Sequence, residues 1–200
     1  MTKRDAICDA ALELFAEKGI EATTIREIAQ HAEAAEGTLY RHFNGKEDLA
    51  NWLYQQCAGD LQTRLTNAIA GASTPPERLE ALIRGVFDFF GDRPTSCTYL
   101  LSTRSSDATA NGSSSSDWSP PMSAFVDIIE EGRADGTFCE DSAPLLAGWI
   151  LSMVQRTVLF LKAGSLEVGR SAAIDRTVDA ALRLVEADAS ENDSSPTGLP

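Results

Sequence analysis

Apolar side chains recur along most of this chain with the three- and four-residue spacing of an amphipathic α-helix. The pattern is regular over Lys3–Lys18, and Gly19 is placed to end that helix. Residues 24–46 then read as two short helices with a tight break between them, followed by the start of a third. Thr24 and Glu27 have the spacing of a capping box, which predicts that the first helix of the pair begins there.

Further segments continue the helical pattern after the turn signal Asn44-Gly45. Residues 105–119 are rich in Ser, Asp, Asn and Gly and predict a mobile loop. Residues 188–200 are polar and contain Pro and Gly, which predicts a disordered tail. The additional predicted helices cover about 46–70, 76–93, 95–103, 120–136, 143–163 and 171–187.

The two short helices are too small to bury a core of their own. Ile28, Leu39 and Phe43 give them an apolar face, which the helix Lys3–Lys18 can cover. The product is a three-helix head, the arrangement of a helix-turn-helix DNA reader. Outward positions within 36–42 can then meet phosphates and base edges.

Two stretches of this head resemble a known family. EGTLYRHFNGKEDL (36–49) resembles the signature of the tetracycline-repressor (TetR) family of bacterial and archaeal regulators, and GIEATTIREIA (19–29) resembles its first turn and second helix. The resemblance implies an all-α fold of about nine helices, with a helix-turn-helix head before a larger helical domain. We therefore predict a DNA-binding domain at 1–48, a ligand-binding and dimerisation domain at 49–187, and the tail. The helix-turn-helix motif itself is predicted at about 24–43.

The resemblance also implies which residues contact DNA, because in this family the second helix of the pair enters the major groove. Thr38 and Arg41 are the candidates for base edges, since Arg can bind guanine through two hydrogen bonds. Gly37 would let the main chain approach the duplex closely. His42 as an ordinary surface residue, and Arg41 paired with a nearby acid, remain alternatives. The backbone contacts carried over from the family are Thr24, Arg26, Tyr40, His42 and Lys46.

Two positions of the motif depart from the family pattern. Glu33 stands where the family usually has the turn glycine, and a left-handed conformation there would cost on the order of 1 kcal/mol. Ala35 replaces the usual Ser or Thr cap of the reading helix, which costs about 0.5–2 kcal/mol. Glu33 and Glu36 also bring negative charge towards DNA. We expect the fold to survive and the affinity at ordinary salt to be modest.

The overall charge opposes binding to nucleic acid. The chain carries 30 acidic and 17 basic residues, for a net charge of −13, and phosphates repel an acidic surface. Residues 1–48 are also acidic, whereas the window 24–46 is neutral. DNA binding therefore requires a local positive edge, which Arg26, Arg41 and Lys46 could supply together with helix N-termini. A surface so acidic and poor in Lys suggests, as a hypothesis, a salt-adapted host.

Composition argues against an enzyme and against a metal or cofactor site. The four cysteines form no C-x-x-C pair, and the chain has only two histidines. Reduced, mostly buried thiols are expected, with a thiol sensor as the alternative. Neither a nucleophile–base pairing nor a phosphate-binding glycine loop is visible. No apolar run reaches the ~18 residues that span a bilayer, and the N-terminus does not read as a signal peptide. We predict a cytoplasmic protein without membrane contact.

The predicted second domain carries most of the aromatic surface. Core packing explains most of these side chains, but the resemblance implies that a minority line a cavity for an apolar or amphipathic effector. Family members with this type of head include regulators of drug efflux and of fatty-acid metabolism, and the sequence favours neither class. The candidate effector residues are Trp52, Phe87, Phe90, Tyr99, Phe125, Trp149 and Met153.

The last two predicted helices, 143–163 and 171–187, are the candidate dimer interface. The first is apolar nearly all round, so more than one layer must cover it, and two copies of the pair would form an isologous four-helix interface. The alternative is that both helices belong to the core of a monomer. The prediction is thus a homodimeric transcriptional regulator, a repressor on a palindromic double-stranded DNA operator. A small molecule would release it. The competing hypothesis is an acidic protein-binding adaptor or sensor with a degenerate head.

Overall fold

The computed structural model describes residues 2–107 and 120–187, and within them the chain is all-helical. The all-α fold class predicted from the sequence is therefore confirmed. The described residues also contain an isolated antiparallel β-bridge between Phe138 and Glu186. The helices are α1 (Lys3–Lys18), α2 (Ile25–His31), α3 (Glu36–Tyr40), α4 (Lys46–Ile69), α5 (Pro75–Asp92), α6 (Pro94–Asp107), α7 (Pro120–Ala134), α8 (Ala143–Ala163) and α9 (Arg170–Val185).

Two expectations fall partly or wholly outside the described residues. Helix α6 continues to Asp107, so the first residues of the predicted loop 105–119 are helical. The remainder of that loop lies outside the described residues, as does the predicted tail 188–200.

The chain divides into two compact units, and the division does not follow sequence order. The first unit holds residues 1–67 and 85–121, and the second holds residues 68–84 and 122–200. In the first unit, α1 packs against α2, α3 and α6. The rings of Phe15 and Tyr99 stack with centroids 5.9 Å apart, and the Tyr99 hydroxyl donates to the Ala50 carbonyl oxygen at 2.9 Å. The domain boundary at 48/49 stays a prediction.

The second unit contains α8, α9, most of α7 and the start of α5. The Arg84 guanidinium forms ion pairs with two carboxylates, through Nε to Glu80 Oε1 at 2.7 Å and through Nη2 to Asp175 Oδ1 at 2.9 Å. The second ion pair joins α5 to α9. The segment after α7 folds back on α9, and the Cys139 amide donates to the Val185 carbonyl oxygen at 2.8 Å. Gly132 makes this return possible, because a Cβ there would lie 2.1 Å from a ring carbon of Phe138. These contacts fix the segment after α7 and the C-terminal end of α9 within the second unit.

Helix α8 is only partly covered within its own unit. Leu145, Trp149 and Phe160 are 46, 47 and 42 % exposed, while Leu146, Ile150 and Val154 on the opposite face are buried. Among the described helices α8 alone has the length and apolar composition to cross a membrane, although no uninterrupted apolar run had suggested one. The same composition is typical of helices that pack in the core of a soluble protein.

Candidate DNA-binding site

A capping box fixes the start of α2. The Thr24 hydroxyl oxygen accepts from the Glu27 amide at 3.2 Å, and the Thr24 amide donates to the Glu27 carboxylate at 2.8 Å. Lys18 at the end of α1 reaches the same carboxylate at 2.6 Å. The Lys18 ammonium and the Thr24 amide and hydroxyl stabilise the charged carboxylate, which lowers the pKa of Glu27 from 4.5 to about 2. One acid of the head is thus neutralised by a partner from α1.

The turn between α2 and α3 adopts the left-handed conformation that the family glycine implied. Glu33 has a φ of 47° and is the sole non-glycine residue with positive φ among those described. Local bonds hold this conformation, since the Ala34 amide donates to the Ala29 carbonyl at 2.9 Å. The Lys3 ammonium also donates to the Glu33 carbonyl oxygen at 3.0 Å. The first turn of α1 therefore supports the strained turn of the motif.

Helix α3 is short and lacks a side-chain cap. Ala35 stands at its N-cap without a side-chain hydrogen bond, as its apolar side chain requires. Leu39 is fully buried and Phe43 nearly so, and these residues attach the helix to the core of the first unit. Packing rather than helix propensity therefore holds α3, because five residues are too few for an independently stable helix.

The opposite face of α3 is open to solvent. Tyr40 is 57 % exposed, which is unusual for a large aromatic side chain and leaves its ring and hydroxyl available to a partner. Gly37, Arg41 and His42 are also exposed, and a Cβ built at Gly37 would meet nothing within 4 Å. The space in front of the Gly37 main chain is thus free for a duplex. These are the positions that the sequence singled out on this helix.

The two candidate base readers lie side by side. A guanidinium nitrogen of Arg41 donates to the Thr38 hydroxyl at 3.3 Å, and this bond aligns the Arg41 side chain along α3. Arg41 therefore makes no ion pair with an acid among the residues described, which was the competing interpretation of this side chain. The bond is long and exposed, so exchanging it for base contacts costs little.

The candidate phosphate contacts come from the start of α2, from the end of α3 with Tyr40 and His42, and from the start of α4. Thr24 and Arg26 lie at the start of α2, and both are exposed. Arg26 has no hydrogen-bond or ion-pair partner in the described part of the chain. Lys46 opens α4, where its ammonium donates to the Glu21 carbonyl oxygen at 3.4 Å. Lys46 thereby joins the start of α4 to the loop before α2.

Sequence reasoning missed the residues that hold the head from the side of α1. Arg4 lies with its guanidinium carbon 4.2 Å from the centroid of the Trp52 ring and 5.3 Å from that of Phe43. Lys3 and Lys18 make the contacts described above. All three are unremarkable basic residues in a helical pattern, and only the tertiary packing reveals their partners. A search for exposed bases within one turn of the motif would not have found Arg4, because it precedes the motif by twenty residues.

The candidate effector residues fall into both units. In the first unit, Phe87 and Tyr99 are fully buried and Phe90 nearly so, whereas Trp52 packs beside Phe43 with ring centroids 5.8 Å apart. In the second unit, Phe125 is fully buried, Met153 is half-buried and Trp149 is exposed. Met153 also borders a groove of about 570 Å³ between α8 and α9. Their role towards an effector stays a prediction.

The cysteines occupy buried positions, as expected from the sequence. Cys8, Cys57 and Cys97 are free and buried in the first unit, and Cys139 is free and half-buried. Burial raises the pKa of Cys8 to about 11 and that of Cys97 to about 12. Such thiols stay protonated at neutral pH, which makes them poor nucleophiles and poor redox sensors.

A short exposed helix, α3, that packs on α1 and α2, with Arg26 before it and Lys46 after it in the chain, is the arrangement of a helix-turn-helix DNA-binding protein. The model of bacterial regulatory proteins of the tetR family matches residues 7–52. The repressor KstR2 of Mycolicibacterium smegmatis is 30 % identical over 142 residues, which cover 70 % of this chain and 69 % of that protein. The chain belongs to the TetR family.

Solved structures agree with the fold. A TetR-family regulator from Marinobacter aquaeolei superposes with a TM-score of 0.77 at 20 % identity, over 92 % of this chain and 95 % of that one. The regulator FadR from Bacillus subtilis, solved in complex with stearoyl-CoA, superposes with a TM-score of 0.70 at 20 % identity, over 92 % and 100 %. As a member of this family, the chain is a DNA-binding transcriptional regulator rather than an enzyme.

Proposed function

We propose that two copies of this chain bind one palindromic operator, each placing α3 in the major groove. The observation that carries the proposal is the exposed face of α3, where Tyr40 is 57 % exposed beside Gly37 and Arg41. Successive major grooves on one side of a duplex lie about 34–36 Å apart, so a symmetric dimer must hold its two heads at that spacing. Membership of a family of soluble regulators supports a cytoplasmic location for the proposed repressor.

The residue roles follow from position and chemistry. Thr38 and Arg41 read base edges, because Thr38 is half-exposed on α3, Arg41 is exposed directly after it, and Arg can form two hydrogen bonds with guanine. Gly37 lets the main chain approach the duplex. The remaining contacts hold the DNA backbone and are supplied by Thr24, Arg26, Tyr40, His42 and Lys46.

The dimer is proposed to form through α8 and α9. Leu145, Trp149 and Phe160 leave an apolar stripe uncovered along α8, and exposing so much apolar surface is costly in water. On α9, the exposed small residues Ala172 and Ala180 would allow a second helix to approach closely. The same face of a second chain would cover both helices and form an isologous four-helix interface.

The effector is proposed to be amphipathic, with a long acyl thioester as the first candidate. FadR from Bacillus subtilis was solved with stearoyl-CoA, and this supports the choice although that similarity extends to the fold alone. The candidate effector residues stay those proposed from the sequence, and they are Trp52, Phe87, Phe90 and Tyr99 in the first unit and Phe125, Trp149 and Met153 in the second.

Release is proposed to be a population shift. An effector that fits only a state with more widely spaced heads displaces α4 and moves the two copies of α3 out of register. A coupling of ~1–3 kcal/mol changes operator occupancy about 5- to 150-fold, which is enough for control.

The test is fluorescence anisotropy with labelled DNA from upstream of the chain's own gene. Stearoyl-CoA is added to the preformed complex, with free coenzyme A and stearate as matched controls. The proposal expects release by the thioester at micromolar concentration and much weaker release by either half. If the DNA stays bound with stearoyl-CoA, coenzyme A and stearate alike, a long acyl thioester is not the effector. Absence of any DNA binding supports the acidic adaptor instead.

A further inference from the structure

We propose that Arg4 is an additional contact to a DNA backbone phosphate, held in place by the aromatic rings of Trp52 and Phe43. The inference rests on the DNA-binding function and adds a residue from outside the helix-turn-helix motif. Its starting point is an arginine that lies over two aromatic rings and has no hydrogen-bond or ion-pair partner among the described residues.

The stacking is geometrically specific. The guanidinium carbon of Arg4 lies 4.2 Å from the Trp52 ring centroid and 5.3 Å from the Phe43 ring centroid, and the two rings lie 5.8 Å apart. A guanidinium this close to aromatic rings is attracted by their faces, and that attraction requires no hydrogen-bond acceptor. The contact therefore restricts the Arg4 side chain while its N–H donors remain able to bind an anion.

Those donors have no partner among the described residues. Arg4 makes no hydrogen bond and no ion pair there, although the whole chain carries 30 acidic residues. The acid nearest in sequence is engaged elsewhere, because the Asp5 carboxylate accepts from the Thr2 amide at 2.8 Å in the capping box of α1. Within the same unit Arg64 and Arg93 both form ion pairs, with Asp92 and Asp60. An unpaired guanidinium in so acidic a chain calls for an external anion.

The position of the side chain indicates which anion that is. Phe43 follows directly after Arg41 and His42, and Trp52 lies in the second turn of the helix that Lys46 opens. Arg4 therefore borders the segment that carries the proposed phosphate contacts. Arginine held by stacking is suited to phosphate, since a pre-positioned planar fork loses little entropy when it binds.

The experiment measures operator affinity as a function of salt for Arg4→Ala, with Arg64→Ala as the matched control. Each variant removes one positive charge from a half-buried position, but Arg64 is already paired with Asp92. Loss of a phosphate contact weakens binding about tenfold at low salt and reduces the slope of log K against log salt by about one unit per protomer. Arg64→Ala is expected to leave the slope unchanged.

Two further variants separate contact from folding. Arg4→Lys keeps the charge but loses the planar stack, so it should retain the salt slope and lose part of the affinity. Trp52→Leu removes the ring and keeps Arg4, so it too should lower affinity while keeping most of the slope. If Arg4→Ala lowers the unfolding temperature but leaves the salt slope intact, Arg4 only joins α1 to α4 and the inference fails. If the unmodified chain binds no DNA, the failure lies with the proposed function instead.

Discussion

Glu33 combines backbone strain with an unfavourable charge at one position. Its φ of 47° costs on the order of 1 kcal/mol for a residue with a Cβ, and its exposed carboxylate adds a negative charge to the head. Contacts from Lys3 and from the local backbone hold the turn in spite of that cost. The strain is therefore compensated within the head and is open to direct measurement.

We expect Glu33→Gly to stabilise the chain by about 1 kcal/mol, because glycine adopts positive φ without a Cβ clash. Glu33→Ala is the matched control, since it removes the same charge and keeps the strain. Thermal unfolding should rank the glycine variant above the alanine variant by a few degrees. Equal unfolding temperatures would show that the turn is not strained. Both variants should bind DNA more tightly than the unmodified chain.

Gly37 separates the needs of the fold from those of DNA binding. A methyl group there meets no protein atom within 4 Å, and alanine favours a helix over glycine by about 0.8–1 kcal/mol. Gly37→Ala should therefore fold at least as well as the unmodified chain, yet bind operator more weakly because the methyl group obstructs the duplex. Circular dichroism melting and anisotropy titration together check this. A variant that folds and binds normally would remove Gly37 from the interface.

Glu27 gives the head a defined dependence on acid. Its pKa falls from 4.5 to about 2 in the folded state, so its contribution to stability is present above pH 4.5 and is lost as the pH falls towards 2. Glu27→Gln removes that titration. The difference in unfolding temperature between the two proteins should be largest near pH 6 and should shrink below pH 4.5. A difference that stays constant over this range would mean that the carboxylate has an ordinary pKa in the fold.

At the scale of elements, helices could be predicted from spacing, whereas their partners could not. Helices α1 and α8 begin and end at the predicted residues because their ends carry clear signals, Gly19 and Gly164 at their C-caps and Pro144 near the start of α8. The left-handed turn at Glu33 was predictable only through the family pattern. Contacts such as Tyr99 with Ala50, or Arg4 with Trp52, join residues 48 or more positions apart. No periodicity encodes such contacts.

Helix α8 is the element that the proposed dimer would cover. Trp149 is 47 % exposed at the middle of the uncovered stripe, where a dimer would bury it. Trp149→Glu should raise the dimer dissociation constant on the order of a hundredfold, because it places a charge in an apolar interface. Lys162→Glu changes the charge of the same helix by more but lies in its last turn, 13 residues from Trp149. Analytical ultracentrifugation should find Trp149→Glu monomeric and Lys162→Glu dimeric. If both variants are dimers, the interface lies elsewhere.

At the scale of the whole molecule, the question is how a chain with a net charge of −13 holds an anionic duplex. The head reduces the conflict locally. Lys18 offsets Glu27, and Asp5 is engaged in the cap of α1, while Arg4, Arg26 and Arg41 carry no ion pair among the residues described. These three bases without an ion pair all belong to residues 1–48, the predicted DNA-binding domain. The rest of the acidic surface contributes long-range repulsion, which salt screens over about 10 Å at 0.1 M.

The most direct measurement is a titration of labelled upstream DNA with the full chain at several salt concentrations, without effector. The structure predicts sequence-specific binding whose log K falls linearly with log salt, at a slope set by the few phosphate contacts of two heads. Arg41→Ala should relax base preference and leave most of that slope. Binding that is absent at every salt concentration, or equal for upstream and unrelated DNA, would contradict the account.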